Sequence, residues 1–234
     1  ILVLDGALGT MIQRYNLKED DFRGEEFKNH PVKLTGNNDI LVLTCPDLIA
    51  DIHRQYLEAG ADIIETCTFN SQAISQAEYQ TANYVSRINR DAARLARKEA
   101  DRMTALTPNK PRFVAGSIGP TAKMTSMSPN VENPAMRSVS FDDLRMAYAE
   151  QIRALLEGGV DALLIETIFD TLNAKAALAA AREVFEEKGK KVPVMLSATI
   201  TDAGGRILSG QTLEAFLVSI AHEESFSVGL NCSF

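Results

Sequence analysis

Twelve residues of this chain recur in the same pattern 99 positions further on. Leu57-Glu58-Ala59-Gly60-Ala61-Asp62-Ile63-Ile64-Glu65-Thr66-Cys67-Thr68 aligns without gaps with Leu156-Glu157-Gly158-Gly159-Val160-Asp161-Ala162-Leu163-Leu164-Ile165-Glu166-Thr167. Each copy reads as a helix end, a glycine that stops it, and a buried apolar strand. A helix–turn–strand unit used twice points to parallel α/β architecture, since parallel strands need a crossover between them. In this register Cys67 and Glu166 hold the same place at strand carboxyl ends, where such folds put their chemistry. Glu65 aligns with Leu164 and is expected to be structural.

Apolar runs of strand length recur along the chain. Ile1–Asp5, Asp62–Phe69, Phe113–Gly119, Ala162–Ile168, Val194–Ile200 and Val228–Cys232 read as six strands, covered on both faces as in a parallel sheet. Between them, Asp47–Ala59, Tyr84–Met103, Phe141–Glu157, Thr171–Lys188 and Leu213–His222 read as helices, with Asp170 as an N-cap. Strict alternation fits an open doubly wound sheet or a (βα)8 barrel, and the repeat favours the barrel. A TIM-type (βα)8 barrel has eight strands in about 250 residues. The expectation is therefore one domain over 1–234, truncated after about six βα units. Long segments at 15–45, 120–140 and 201–212 follow strand carboxyl ends and suggest a built face there.

Charge and composition narrow the function classes. A net charge of −7 with interspersed signs argues against nucleic acid or an anionic membrane as partner. No apolar run approaches the ~20 residues of a bilayer span. Three widely spaced cysteines make no disulfide framework, which points to a reducing cytoplasm.

Four places carry candidate chemistry. Asp5-Gly6-Ala7-Leu8-Gly9-Thr10 reads on spacing as a glycine turn into a short helix. Its functional reading puts Asp5 at the barrel mouth, with backbone near Gly6 approaching a ligand carboxylate. Glu166 closes an apolar run, and an acid buried there calls for a cation. Either a ligand ammonium or a loop Lys or Arg would answer. Gly229-Leu230-Asn231-Cys232 places a thiol beside an amide at a strand end, and a lone thiol there is either a small buried residue or a zinc donor. Nucleophilic catalysis by Cys232 lacks a base, since His53 and His222 fall in helices and His30 in a loop. Cys67 is a weak ligand candidate and Cys45 reads as structural. The Ala203–Gly210 stretch is a tight glycine loop or a hairpin-like excursion.

Taken together these motifs resemble the homocysteine-binding module of cobalamin-dependent methionine synthase. The resemblance runs through Leu2-Val3-Leu4-Asp5-Gly6, Phe22-Arg23-Gly24, Gly36-Asn37-Asn38-Asp39, the first repeat copy, Ile165-Glu166-Thr167-Ile168-Phe169-Asp170-Thr171, Ser209-Gly210-Gln211-Thr212 and Gly229-Leu230-Asn231-Cys232. The Phe22–Asp39 insertion looks like methionine synthase in particular, whereas betaine- and S-methylmethionine-dependent enzymes share the strand-end residues. The chain departs from the family at Cys67, where an asparagine is usual.

The resemblance implies a (βα)8 barrel in which Asp5 and Glu166 hold the homocysteine ammonium, with Gly6, Ala7 and Asn231 completing the substrate site. It implies that Cys232 is the first of three zinc thiolates, the other two forming a Cys-Cys pair that this sequence lacks. Zinc binding deprotonates a thiol, so homocysteine would be held as a thiolate. Its methyl donor would be methylcobalamin, recharged from 5-methyltetrahydrofolate on other modules of the same polypeptide. This 5-methyltetrahydrofolate–homocysteine methyltransferase activity is not expected of the 234 residues alone, whose zinc site is incomplete. The alternatives are a cobalamin-independent homocysteine methyltransferase and an amino-acid-binding barrel without catalysis. A phosphate-binding barrel fits less well, because its phosphate loops follow strands seven and eight.

Overall fold

Gly60 and Gly159, the shared glycines of the repeat, end two helices in the left-handed region at φ +113° and +95°. The aspartates that follow them also do the same job twice. Asp62 accepts the Val3 N–H at 2.8 Å and Asp161 accepts the Val114 N–H at 2.8 Å, each reaching across to the neighbouring strand segment. Sequence repetition here is repetition of a physical device. Each copy terminates a helix, turns the chain, and staples the strand entry to its neighbour.

The computed structural model describes residues 1–233. In chain order the elements are α1 (Leu8–Gln13), α2 (Glu19–Arg23), α3 (Leu41–Thr44), α4 (Pro46–Ala59), β1 (Ile63–Glu65), α5 (Ala73–Gln76) and α6 (Val85–Leu106). Then follow β2 (Phe113–Ile118), α7 (Phe141–Gly158), β3 (Ala162–Ile168), α8 (Thr171–Lys188), β4 (Val194–Ala198), α9 (Leu213–Ile220) and β5 (Ser227–Leu230). All neighbouring strands are parallel and their order is β1-β2-β3-β4-β5. A doubly wound sheet reverses direction at a switch point. This one never does, so it curls one way, as a barrel wall does.

The first expected strand is only partly formed. Residues near Leu4 run parallel beside β1 through a single bridge, Leu4 to Ile63, with the Asp5 N–H donating to the Ile63 carbonyl at 2.9 Å. The wall is thus five strands and a bridging segment instead of six strands. β1 is also shorter than its apolar run suggested. It stops at Glu65, because the Thr68 N–H bonds back to the Thr66 carbonyl at 2.9 Å and turns the chain at Cys67.

Two apolar layers hold the wall. Ile63, Ala115, Ala162, Leu164 and Met195 meet on its inner face. The outer face packs against α6, α7 and α8, whose alanines let helices lie close. Gly158 shows how close: a Cβ there would stand 2.4 Å from Ala93 Cβ and 2.6 Å from the Arg90 carbonyl oxygen. Asp170 caps α8 as expected, accepting the Leu172 and Asn173 N–H groups. α9 ends at Ile220, two residues before the expected His222.

The 15–45 segment packs Phe22, Phe27, Leu34, Ile40 and Leu41 into a small core with Ile12 of α1, seated on α4 and α6. Arg23 fastens it, donating to the His30 and Val32 carbonyls at 2.6 and 3.0 Å and pairing with Glu19 at 2.7 Å. The 201–212 segment is a hairpin-like excursion, with an antiparallel bridge between Arg206 and Thr212. It folds back over the end of β3, where Ser209 N–H donates to the Phe169 carbonyl at 3.0 Å. At the edges, β5 is exposed along its length and Ile1, Leu2 and Val3 are exposed opposite. No described helix is long and apolar enough to cross a membrane.

Candidate functional site

Because every strand is parallel, all carboxyl ends lie at one end of the wall. Side chains alternate along a strand, so the inner layer of Ile63, Ala115, Leu164 and Met195 is followed, one step up, by Glu65, Ser117, Glu166 and Ser197. This upper layer is polar, and Asp5 joins it from the bridging segment.

Three carboxyls meet there. The Glu65 N–H donates to Asp5 Oδ2 at 3.0 Å, while Asp5 Oδ1 is buried without a partner. Ser117 Oγ donates to Glu166 Oε1 at 2.5 Å. The Glu65 and Glu166 carboxyls lie close enough to shift each other, Glu65 upward and Glu166 downward. Burial, then the neighbouring Glu166, pushes Asp5 up to about 8 despite the Glu65 N–H. Burial and the charges of Glu166 and Asp5 raise Glu65 to about 9. Glu166 is raised as well, chiefly by burial. No cationic side chain acts on any of the three. The loop Lys or Arg that would answer Glu166 is thus absent among the described residues. Three buried carboxyls without a paired cation form an arrangement that could hold a cationic group.

Around it lie three residues that strand pattern alone did not flag. Tyr56, on α4, donates its hydroxyl to the Ala7 carbonyl at 3.3 Å and lies against Gly6, where a Cβ would come within 3.2 Å of the Tyr56 oxygen. Asp39, from the 15–45 segment, is buried, accepts the Asn70 N–H at 2.7 Å and Ser71 Oγ at 2.8 Å, and adds its charge to those felt by Glu166. Ser117 anchors Glu166 directly. Glu65 carried a readable signal: it shares alternation parity with Ile63, so an acid there faces inward.

Cys67 does not share the place of Glu166. The turn after β1 aims its thiol outward into the core of the 15–45 segment, 3.5 Å from the Asn38 carbonyl and 3.9 Å from Asp39 Oδ1. Burial pushes that thiol well above its ordinary pKa. Cys232 is exposed just past β5, and Asn231 beside it bonds Thr167 next to Glu166. Gly6 and Ala7 lead from Asp5 into α1. Asp5, Gly6, Ala7, Glu166, Asn231 and Cys232 therefore stand along one rim.

A zinc ion takes about three or four protein ligands. Among the described residues no group of three His, Cys, Asp or Glu could hold a metal. Cys232 alone does not fit a zinc site. His30 engages the Tyr79 carbonyl at 2.7 Å, and His53 is buried in α4 with neither ring nitrogen bonded.

Comparison with known proteins shows the family and the fold. Residues 2–234 match the family model described as homocysteine S-methyltransferase. The fold is similar to the crystal structure of the homocysteine methyltransferase MmuM from Escherichia coli in its metallated form. That match has a TM-score of 0.75 and 22% identity, covering 99% of this chain and 74% of that one. The apo form of the same protein matches with a TM-score of 0.69 and 21% identity, covering 99% and 72%.

Proposed function

Since the chain belongs to the homocysteine S-methyltransferase family, we propose that its rim binds homocysteine and presents the sulfur for methylation to methionine. The carrying observation is the cluster of Asp5, Glu65 and Glu166, three carboxyls with no protein cation and one orphaned oxygen. A primary ammonium supplies three N–H donors, which matches that cluster in charge and in bonding. Asp5 and Glu166 accept from the ammonium, and Glu65 braces Glu166. Backbone at Gly6 and Ala7, held by Tyr56, faces the α-carboxylate. The sulfur then extends toward the Cys232 side of the rim.

The finer reading is the homocysteine module of a cobalamin-dependent methionine synthase, with methylcobalamin as donor and 5-methyltetrahydrofolate recharging it on other modules. The separately cored 15–45 segment, which holds the methionine-synthase-like motifs, supports it. In methyl transfer the donor–carbon bond breaks, a sulfur–carbon bond forms, and the thiol proton is lost. Zinc at Cys232 belongs to the same reading, but the described residues do not complete its site, so no step here is routed through it.

Calorimetry with L-homocysteine and with 4-mercaptobutyrate, which lacks the amino group, tests the site. Binding of the first alone, lost in Asp5→Asn and Glu166→Gln, is expected. Equal binding of both would overturn the ammonium assignment. Methyl transfer to homocysteine by the longer polypeptide from S-methylmethionine, and not from methylcobalamin, would overturn the donor assignment.

A further inference from the structure

β3 carries one residue too many for its neighbour. Ile165 pairs with Leu196 and Ile168 with Ala198, so three steps on β3 oppose two on β4. That surplus makes a bulge, a device that re-aims side chains next to functional sites. At the bulge Thr167 sits at φ +56°, a region in which a β-branched residue is strained. Its N–H has left the ladder and donates instead to Asn231 Oδ1 at 3.1 Å.

Asn231 is committed on every side. Its Oδ1 also accepts Ser197 Oγ at 2.8 Å. Its Nδ2 donates to Thr167 Oγ1 at 2.8 Å and to Cys232 Sγ at 3.5 Å. A primary amide has two acceptor positions and two donor hydrogens, and all four are used inside the protein. Cys232 is itself left-handed, at φ +48°. One side chain therefore spans β4 and joins two strained residues, one beside Glu166 and the other bearing the rim thiol.

We propose that Asn231 is a positioning residue, which clamps the β3 bulge to the Cys232 turn and so fixes the Glu166 carboxyl and the Cys232 thiol in one frame. It does not contact substrate. The inference replaces the substrate-binding role expected for Asn231, and its effect on affinity rests on the homocysteine reading above. The clamp itself does not depend on that reading.

The test uses the 234-residue chain and two readouts, amide hydrogen exchange at Thr167 and calorimetric affinity for L-homocysteine. In Asn231→Ala, Thr167 exchange should accelerate and affinity should fall, each by about tenfold or more for the lost bonds. Adding Thr167→Gly should restore most of the affinity, because glycine takes φ +56° without being held there. A purely structural role would not be rescued by that second change. Asn231→Asp keeps the acceptor, so Thr167 should stay protected in it, and this decides the matter if Asn231→Ala does not fold. Unchanged exchange in Asn231→Ala, lost protection in Asn231→Asp, or a double variant as weak as the single one would overturn the clamp. If the wild-type chain does not bind homocysteine, the substrate reading fails while the exchange result still judges the clamp.

Discussion

Glu65 and Glu166 bring their carboxyls together at the rim, two positions out of step with the repeat that relates their strands. A proton held between them would let two acids sit together in a buried place without a cation. Two ionised carboxylates there would each carry a desolvation cost of several kcal/mol.

Glu65 is therefore expected to work as a donor toward Glu166. Glu65→Gln should bind homocysteine within a few-fold of wild type, because an amide also donates. Glu65→Ala should weaken binding by about tenfold or more, the worth of a hydrogen bond to a charged group. Calorimetry at pH 7 checks both. Equal loss in the two variants would show that Glu65 contributes charge instead.

Proton release should accompany ligand binding. Asp5, raised to about 8, holds a proton in the free chain at neutral pH, and an ammonium displaces it, while Glu65, raised to about 9, keeps its proton for Glu166. Calorimetry in buffers of different ionisation enthalpy should show proton release at pH 7, with affinity climbing toward pH 8. For stability the sign is the reverse of a salt-bridged acid. The contribution of both groups is fully present below their unfolded values and is lost as pH rises through about 8 to 9. Asp5→Asn and Glu65→Gln should each flatten this alkaline decline in thermal midpoint.

His53 should govern the acid side. It is wholly buried with both ring nitrogens unbonded, and burial lowers it to about 4 against the weaker pull of Glu99. The unfolded chain takes up the proton first, so stability is complete above about 6.5 and declines as pH falls toward 4. The loss from this one group approaches about 3 kcal/mol. Denaturant unfolding of His53→Leu should show a shallower acid limb, and an unaltered limb would remove His53 from the account.

The two glycines of Glu157-Gly158-Gly159 should respond differently to alanine. At Gly158 a Cβ collides with Ala93 and the Arg90 carbonyl oxygen, so α6 and α7 must move apart, at a cost of about 1–3 kcal/mol or more. At Gly159 nothing stands within 4 Å and only φ +95° opposes a side chain, at about 1 kcal/mol. Urea midpoints should rank Gly158→Ala below Gly159→Ala.

Zinc should not bind residues 1–234 tightly. Among the described residues Cys232 has no companion donors, so titration with a chromophoric competitor should show no one-to-one complex at micromolar metal. A tight complex surviving Cys232→Ala would place the metal elsewhere on the chain.

Much of the architecture was legible in the order of residues alone. Apolar runs and their spacing placed β2 through β5 and the long helices within a few residues, because burial period and glycine stops act locally. The repeat identified parallel units for the same reason, and Gly60 and Gly159 stop their helices as the alignment suggested. Asp5, Glu166 and Cys232 were readable as strand-end residues, since parallel strands share one chemical end.

What only the tertiary structure decided is which side chains meet. An ungapped register equated Cys67 with Glu166, yet a tight turn ends β1 early and a bulge lengthens β3. Glu65 meets Glu166 instead, and Cys67 enters another core. Bulges and turns of this kind are settled by hydrogen bonds between segments distant in sequence, such as Asn231 to Thr167 and Thr68 to the Ser117 carbonyl. Local periodicity contains no record of those partners, so the pairing emerges only when the wall is assembled.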